Sequence, residues 1–246
     1  MPIALLFRRK KEYSPFRNEL LNLIKDSRGD KLLLGYGYID DRNDKYSIIN
    51  PICSHIEENE NLKKVYVIAG NFEHNKHTTN DEECNGDNNK MTGNKCWNCA
   101  LEKVRNKINE RLENKGLDVK IINFNEEIDN SFDMSKWHAK VAMKFENDEP
   151  IAAIIGSSNL TNPAFNPHTD RRFCQFEVDV VIYLPGFDGI FDLNIYDQTE
   201  ILFSNKLEKP GKKDSYNDEA QHEKVFLYSL VEEYKKLNIL NDFFDK

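Results

Sequence analysis

Hydrophobic residues recur at helical spacing in three segments of the chain. The first predicted helix begins at Ser14 and ends at Asp26, and its apolar positions are Phe16, Leu20, Leu21 and Ile24. A second, strongly charged helix spans Leu101 to Asn114 and carries Val104, Ile108 and Leu112 on one face, with Gly116 as its C-terminal cap. A closing helix is predicted from Glu219 to Leu240.

Short apolar runs between these helices predict six strands: Lys31–Tyr38, Lys64–Ala69, Val119–Phe124, Lys140–Phe145, Ile151–Ile155 and Phe176–Leu184. Several of the runs lack polar alternation, which is typical of strands that are buried on both faces of a sheet. Strands that alternate with helices indicate an α/β layered domain. We predict one domain over residues 1–246, with residues 205–246 as a C-terminal linker and helix.

Residues 71–98 break this pattern, because nearly all of them are polar. A stretch of that length without structure is unusual inside a domain, unless something other than a core orders it. The stretch ends in a CxxC pair, and another cysteine and two histidines precede that pair. Three thiolates and one imidazole form a closed tetrahedral zinc site, whose predicted ligands are His77, Cys84, Cys96 and Cys99.

We therefore predict a zinc-binding insertion over residues 71–99. His74 is the alternative to His77 as the fourth ligand, and His55 also stays open. Free thiols or a redox pair are the competing interpretation of the CxxC spacing.

Composition narrows the functional classes. The net charge is −8, from 34 lysine and arginine against 42 aspartate and glutamate residues, so any nucleic-acid contact requires a local basic patch. No apolar run approaches the roughly 20 residues of a membrane span. Five cysteines and an apolar N-terminus followed by basic residues, the reverse of a signal peptide, predict a cytoplasmic protein without a disulfide framework.

Two short motifs carry the candidate chemistry. His138 and Lys140 are separated by one residue at the start of a strand, so strand geometry directs both side chains to one face. Gly156 and the residues up to Asn159 end the next strand, and a hairpin between the two strands would bring Asn159 back toward Lys140. An imidazole can attack phosphorus, while a lysine, an amide and small hydroxyls can hold phosphate oxygens.

This HxK motif followed by GSxN resembles the phospholipase D superfamily, through His138, Lys140, Gly156, Ser157 and Asn159. The resemblance covers residues 137–180. It implies a phospholipase D-like layered domain with a mixed, mostly parallel sheet flanked by helices. The family pattern has an aspartate five residues after the lysine, where this chain has Phe145, and Asp148 is nearby but out of register.

The resemblance is to the nuclease branches with one complete motif, including metal-independent restriction-type endonucleases. Those branches carry a glutamate on the next strand, which implies a role for Glu177, with Asp179 as the fallback. His138 would form a phosphohistidine, while Lys140 and Asn159, with help from Ser157, hold the phosphoryl oxygens. A second histidine from another subunit would complete the site of a homodimer, without a catalytic metal.

Basic residues suggest where nucleic acid would bind. Arg171 and Arg172 lie between Asn159 and Glu177 and are our candidates for phosphate-backbone contacts. The basic cluster from Arg8 to Lys11 is either another nucleic-acid contact or solvated surface.

Three functions compete. The favoured one is a nuclease acting on DNA or RNA, with DNA favoured, without a membrane role, whose specificity is low or comes from a partner protein. The second is a phospholipase or phosphatidyl-transfer enzyme, which usually needs two motifs and a membrane-facing apolar loop. The third is a catalytically inactive nucleic-acid-binding protein of the same fold.

Overall fold

A computed structural model describes residues 3–8, 14–41, 44–70, 97–124, 139–166, 177–184, 186–187, 189–192, 201–203, 227–228, 231–232, 235 and 242–244. The helices whose bounds are described are α1 (Pro15–Lys25), α2 (Ile49–Glu58), α3 (Trp97–Leu112) and the short α4 (Asn162–Phe165), together with a 3-10 turn at Asp44–Tyr46. The described residues 227–228, 231–232 and 235, which fall in the predicted closing helix, are helical as well. Among the described residues, no helix has both the length and the apolar character needed to cross a membrane.

Ten strands are described: β1 (Ile3–Phe7), β2 (Lys31–Tyr36), β3 (Ile39–Asp40), β4 (Lys64–Ala69), β5 (Asp118–Asn123), β6 (Val141–Glu146), β7 (Glu149–Gly156), β8 (Leu160–Thr161), β9 (Val178–Tyr183) and β10 (Ile201–Phe203). Eight of them form one sheet in the order β10-β1-β9-β7-β6-β2-β4-β5, and β3 pairs with β8 separately. The predicted α/β architecture with a mixed sheet and flanking helices is therefore present.

The prediction that the sheet is mostly parallel is wrong. Among the described strands, only the β2–β4 and β4–β5 pairings in the large sheet are parallel, and the other five are antiparallel. One reason is the connection between β6 and β7, since two residues, Asn147 and Asp148, can join only antiparallel neighbours. The other reason is β1 and β10, which the sequence pattern did not reveal.

Helix α1 follows its predicted pattern closely. The Ser14 hydroxyl accepts a hydrogen bond from the Arg17 N–H at 3.2 Å, and Pro15 occupies the first turn, where its missing N–H costs nothing. At the other end, the buried Lys144 ammonium donates to the carbonyl oxygens of Leu23 at 2.9 Å and Ile24 at 3.2 Å. Desolvation lowers the pKa of Lys144 to about 8.

Helix α2 was not predicted, although its buried residues Ile49, Ile52, Cys53 and Ile56 have helical spacing. A buried carboxylate, that of Asp41, accepts the backbone N–H groups of Ile48 and Ile49 at the helix start. Such a contact supplies the acceptor that the first turn of a helix lacks. Arg111 of α3 then joins the two helices through Glu57, with Nη2 and Oε2 2.6 Å apart.

The sheet is covered on both faces, as its uninterrupted apolar strands predict. One face packs against α1, α2 and α3. On the opposite face, Leu33, Tyr66 and Phe145 pack with a separate group of C-terminal residues: Leu227, Val231, Phe243 and Phe244. Both layers fix the sheet, so the positions where its strands end are also fixed.

The residues that flank the two sequence motifs lie along one edge of the sheet, where several strands begin or end. The parallel strands β2, β4 and β5 all end there, and β7 ends beside the starts of the antiparallel β6 and β9. In this row Val141 pairs with Ile155, and Gly156 pairs with Asp179. Residues that flank these pairs therefore meet at the same edge although they are distant in sequence.

Candidate active site

The β6–β7 hairpin brings the two motifs together. Its turn residues Asn147 and Asp148 both have positive φ angles, 51° and 66°, as a two-residue hairpin turn of type I′ requires. With this register the Gly156 N–H donates to the Lys140 carbonyl oxygen at 3.1 Å. The residues from Ser157 to Asn159 therefore leave the sheet beside Lys140, which is the arrangement that the hairpin prediction required.

Glu177 lies directly before β9 and is only 8% exposed. Its backbone carbonyl accepts the Arg8 N–H at 3.0 Å. Its carboxylate accepts the Ser157 hydroxyl, and the same hydroxyl oxygen accepts the Val178 N–H at 3.0 Å. The Ser157 hydroxyl therefore directs its proton to Glu177, so Ser157 orients the carboxylate before any substrate is bound.

Lys140 lies half-buried beside Glu177. Desolvation lowers the pKa of its ammonium from the ordinary value, and the charge of Glu177 acts in the opposite direction. Partial burial reduces the screening of a charge by water, which strengthens its attraction for an anion. Lys140 is therefore suited to binding a phosphate oxygen that replaces water at this edge.

Asn159 has its amide group oriented by the backbone. Its Oδ1 atom accepts the Tyr38 N–H at 3.0 Å, just beyond the end of β2. A backbone N–H can only donate, so the amide oxygen must face Tyr38 and the Nδ2 hydrogens must point elsewhere. The side chain therefore presents two donors from a fixed position, as the binding of a phosphoryl oxygen requires.

Asp179 has different surroundings from Glu177, although the sequence placed both carboxylates as alternatives. It is 2% exposed, and its two oxygens accept the Ser158 N–H at 3.1 Å and the Ser158 hydroxyl at 2.6 Å. Desolvation, the largest cause, raises the pKa of Asp179 to about 6. The carboxylate that acts on the charge of Lys140 and accepts the Ser157 hydroxyl is that of Glu177.

The position that the family pattern gives to an aspartate, and the nearby Asp148, both lie away from this edge. Phe145 is completely buried and contacts the ring of Phe243, with centroids 5.3 Å apart. Asp148 lies in the hairpin turn at the opposite end of the strands, where its carboxylate pairs with the Lys31 ammonium at 2.6 Å. Neither residue belongs to the candidate site.

Arg8 belongs to the basic cluster of residues 8–11, but its side chain is not part of a solvated surface. The side chain is 2% exposed, and its guanidinium donates to the carbonyl oxygens of Pro163, Ala164 and Asn166, each at 2.6 Å. These carbonyls follow the strand-end motif, while the Arg8 backbone holds Glu177. Arg8 therefore fixes two parts of the site that are separate in sequence.

Several predicted residues lie outside the described part of the chain: His138, Arg171, Arg172, His77, Cys84 and Cys96. Cys99 lies in the first turn of α3, but its side chain is also outside the description. In the described ranges, no three histidine, cysteine, aspartate or glutamate side chains are grouped closely enough to hold a metal ion. The zinc site and the nucleophile therefore stay predictions.

Comparison with known proteins adds distant likenesses only. Neither a protein-family profile nor a curated protein matches the sequence. The fold is similar to that of NucT from Helicobacter pylori, with 16% identity and a TM-score of 0.39 over 73% of this chain and 83% of that one.

Two longer proteins show comparable likeness. Phosphatidylserine synthase from Haemophilus influenzae has 11% identity and a TM-score of 0.41 over 91% of this chain, which spans 43% of the synthase. Yeast tyrosyl-DNA phosphodiesterase has 12% identity and a TM-score of 0.34 over 73% of this chain, which spans 31% of the yeast enzyme. At this distance the likenesses fix neither a family nor a function.

Proposed function

We propose that the protein is a metal-independent phosphodiesterase that hydrolyses nucleic acid, with DNA favoured over RNA. The observation that carries the proposal is the grouping of Lys140, Asn159 and Glu177 at one sheet edge, next to the HxK position of His138. An ammonium and a fixed amide donor suit the nonbridging oxygens of a phosphodiester. His138 precedes Lys140 by two positions and supplies the nucleophile.

The proposed reaction has two steps. An imidazole nitrogen of His138 attacks phosphorus, so a P–N bond forms while the P–O bond to the leaving oxygen breaks and a second histidine protonates that oxygen. Water then attacks phosphorus and gives its proton to the second histidine, and the P–N bond breaks. Lys140 and Asn159 hold the nonbridging oxygens in both steps, and Glu177 balances the charge of Lys140 before substrate binds.

The second histidine is assigned to another copy of the chain, which makes the active species a homodimer. HxK spacing also occurs at His74 and Lys76, but no GSxN follows that pair, so the complete motif is present once. Dimerisation is tested separately, by measuring the mass of the active species. An active species with the mass of one chain, 28.8 kDa, would exclude the partner subunit and redirect attention to His74.

Substrate contacts and the insertion complete the proposal. Arg171 and Arg172 would bind the phosphate backbone beside the site, and a partner protein would supply any sequence specificity. The insertion over residues 71–99 would be ordered by zinc, whose role is structural and not catalytic. Elemental analysis of freshly purified protein tests the zinc assignment without requiring activity.

The function is tested by a cleavage assay on labelled single- and double-stranded DNA and RNA. EDTA is present, the incubation is short so that structural zinc survives, and wild type is compared with His138→Ala. Cleavage by the wild type alone supports the proposal and identifies the substrate. If the wild-type dimer cleaves none of the four nucleic acids, a nucleic-acid substrate is excluded for the isolated protein, and lipid turnover becomes the next assay.

A further inference from the structure

Ser158 lies between two site residues but faces away from them. Its side chain is completely buried, and both of its hydrogen-bond donors are directed at Asp179. The neighbouring Ser157 N–H donates to the Val178 carbonyl oxygen at 3.0 Å, so two successive N–H groups are held by β9. The strand-end segment is therefore attached to β9 through a buried polar contact as well as through the backbone.

Gly156 allows this attachment. A Cβ atom at position 156 would lie 2.1 Å from Asp179 Oδ1 and 2.6 Å from Asp179 Cα, far inside contact distance. Asp179 therefore crosses directly over Gly156 to reach Ser158, the second residue beyond it. Because the contact is out of reach of water, a carboxylate removed from position 179 would leave the Ser158 donors without a solvent replacement.

We propose that Asp179 is a positioning residue: by accepting both hydrogen bonds of Ser158, it fixes the segment that presents Ser157 and Asn159 at the sheet edge. The effect on turnover rests on the proposed function, whereas the effect on the segment does not. Asp179 acts through Ser158. Loss of this contact would displace the flanking residues Ser157 and Asn159. Ser157 orients Glu177, and Asn159 holds its amide toward the substrate.

The test compares Asp179→Ala, Asp179→Asn and Ser158→Ala in the full chain. Asparagine keeps the Oδ1 acceptor for the Ser158 N–H, and its amide can donate to the Ser158 hydroxyl oxygen, so both contacts survive and only the second is reversed in polarity. Alanine removes both contacts, and Ser158→Ala removes one. We expect kcat to fall about 100-fold in Asp179→Ala with little change in KM, because the catalytic groups are displaced while binding groups remain. Asp179→Asn should recover most of the loss.

Amide hydrogen exchange provides a readout without turnover. Protection of residues 157–159 should fall in Asp179→Ala and persist in Asp179→Asn, with Ser158→Ala between them. Unchanged protection in Asp179→Ala overturns the inference, and so does wild-type kcat in that variant or an equal loss in Asp179→Asn. If Asp179→Ala does not fold, Ser158→Ala and Asp179→Asn decide the matter. If wild type cleaves no substrate, the proposed function fails and hydrogen exchange alone decides the role of Asp179.

Discussion

The backbone N–H of Tyr38 and the side-chain oxygen of Asn159 form a hydrogen bond of 3.0 Å across 121 positions of sequence. Tyr38 follows the end of β2, and Asn159 follows the end of β7. The bond therefore joins the two halves of the sheet at the edge where the candidate site lies. It also determines which end of the Asn159 amide is presented to substrate.

Two substitutions of Asn159 distinguish the role of its amide oxygen from the role of its amide N–H donors. Asn159→Asp keeps an oxygen for the Tyr38 N–H but turns the outward donors into a negatively charged acceptor. Asn159→Ala loses both, at a stability cost of about 1 kcal/mol. We expect Asn159→Asp to be the more stable variant and the less active one, because its charge repels phosphate. Steady-state kinetics compares the activity of the two variants, and urea unfolding compares their stability. If Asn159→Asp were more active than Asn159→Ala, the assignment of the amide as a donor to substrate would be contradicted.

Lys140→Ala should lower kcat by about 100- to 1,000-fold, because an ammonium that stabilises phosphoryl oxygens is lost. Lys63→Ala is the matched control, since that side chain is 75% exposed, pairs with Asp30 at 3.4 Å and precedes β4 at the opposite sheet edge. Kinetics at saturating substrate should show wild-type turnover for the control. Similar turnover of both variants would remove Lys140 from the mechanism.

Gly156→Ala should lower the free energy of unfolding by about 3 kcal/mol or more, because the added methyl group would overlap the side chain and backbone of Asp179. Gly116→Ala is the control: its φ of +67° is unfavourable for alanine, but no heavy atom lies within 4 Å of the added carbon. That backbone strain costs about 1–2 kcal/mol. Urea unfolding of both variants makes the comparison, and an equal loss would contradict the close approach of Asp179 to Gly156.

Asp179 should make stability depend on pH. Its pKa of about 6 in the folded protein lies above the ordinary 3.8, so folding favours the protonated carboxyl. The stability that protonation contributes is fully present below 3.8 and is lost as pH rises through 6. Asparagine does not titrate and should escape this loss.

Unfolding measured from about pH 4 to about pH 7 compares the wild type with Asp179→Asn. The difference in unfolding free energy, variant minus wild type, should rise by up to about 3 kcal/mol over this range. A constant difference would show that the carboxyl does not titrate differently in the two states.

Local patterns predicted the parts of the site that are close in sequence. Lys140 directly precedes β6 and Ser157 directly follows β7, so a strand pattern and a short turn were enough to bring them together. Tyr38 and Arg8 were not predicted, because their partners Asn159 and Ala164 lie 121 and 156 positions away. No local spacing encodes such contacts, which depend on the order of the strands in the sheet.

The strand directions were also beyond local patterns. Alternating helices and strands favour parallel pairing, but β1 is a five-residue apolar segment that inserts beside β9 in the antiparallel direction. Helix α2 is a different case, because the helical spacing of its apolar residues was visible in the sequence. The helix could have been predicted from this spacing but was not. Burial of Asp41 and Arg8 was also beyond local patterns, because Asp41 pairs with the Lys107 ammonium at 2.8 Å and Arg8 donates to carbonyl oxygens more than 150 positions away.

The most direct measurement traps the covalent intermediate on His138. Wild type and His138→Ala are mixed with DNA that carries a radiolabelled internal phosphate, with EDTA present, and are quenched in alkaline denaturant at successive times. We predict an acid-labile label on the wild-type protein, located at His138 by mass spectrometry, and no label on the variant. Cleavage without labelled protein at any quench time, or equal labelling of His138→Ala, would contradict a phosphohistidine mechanism at this site.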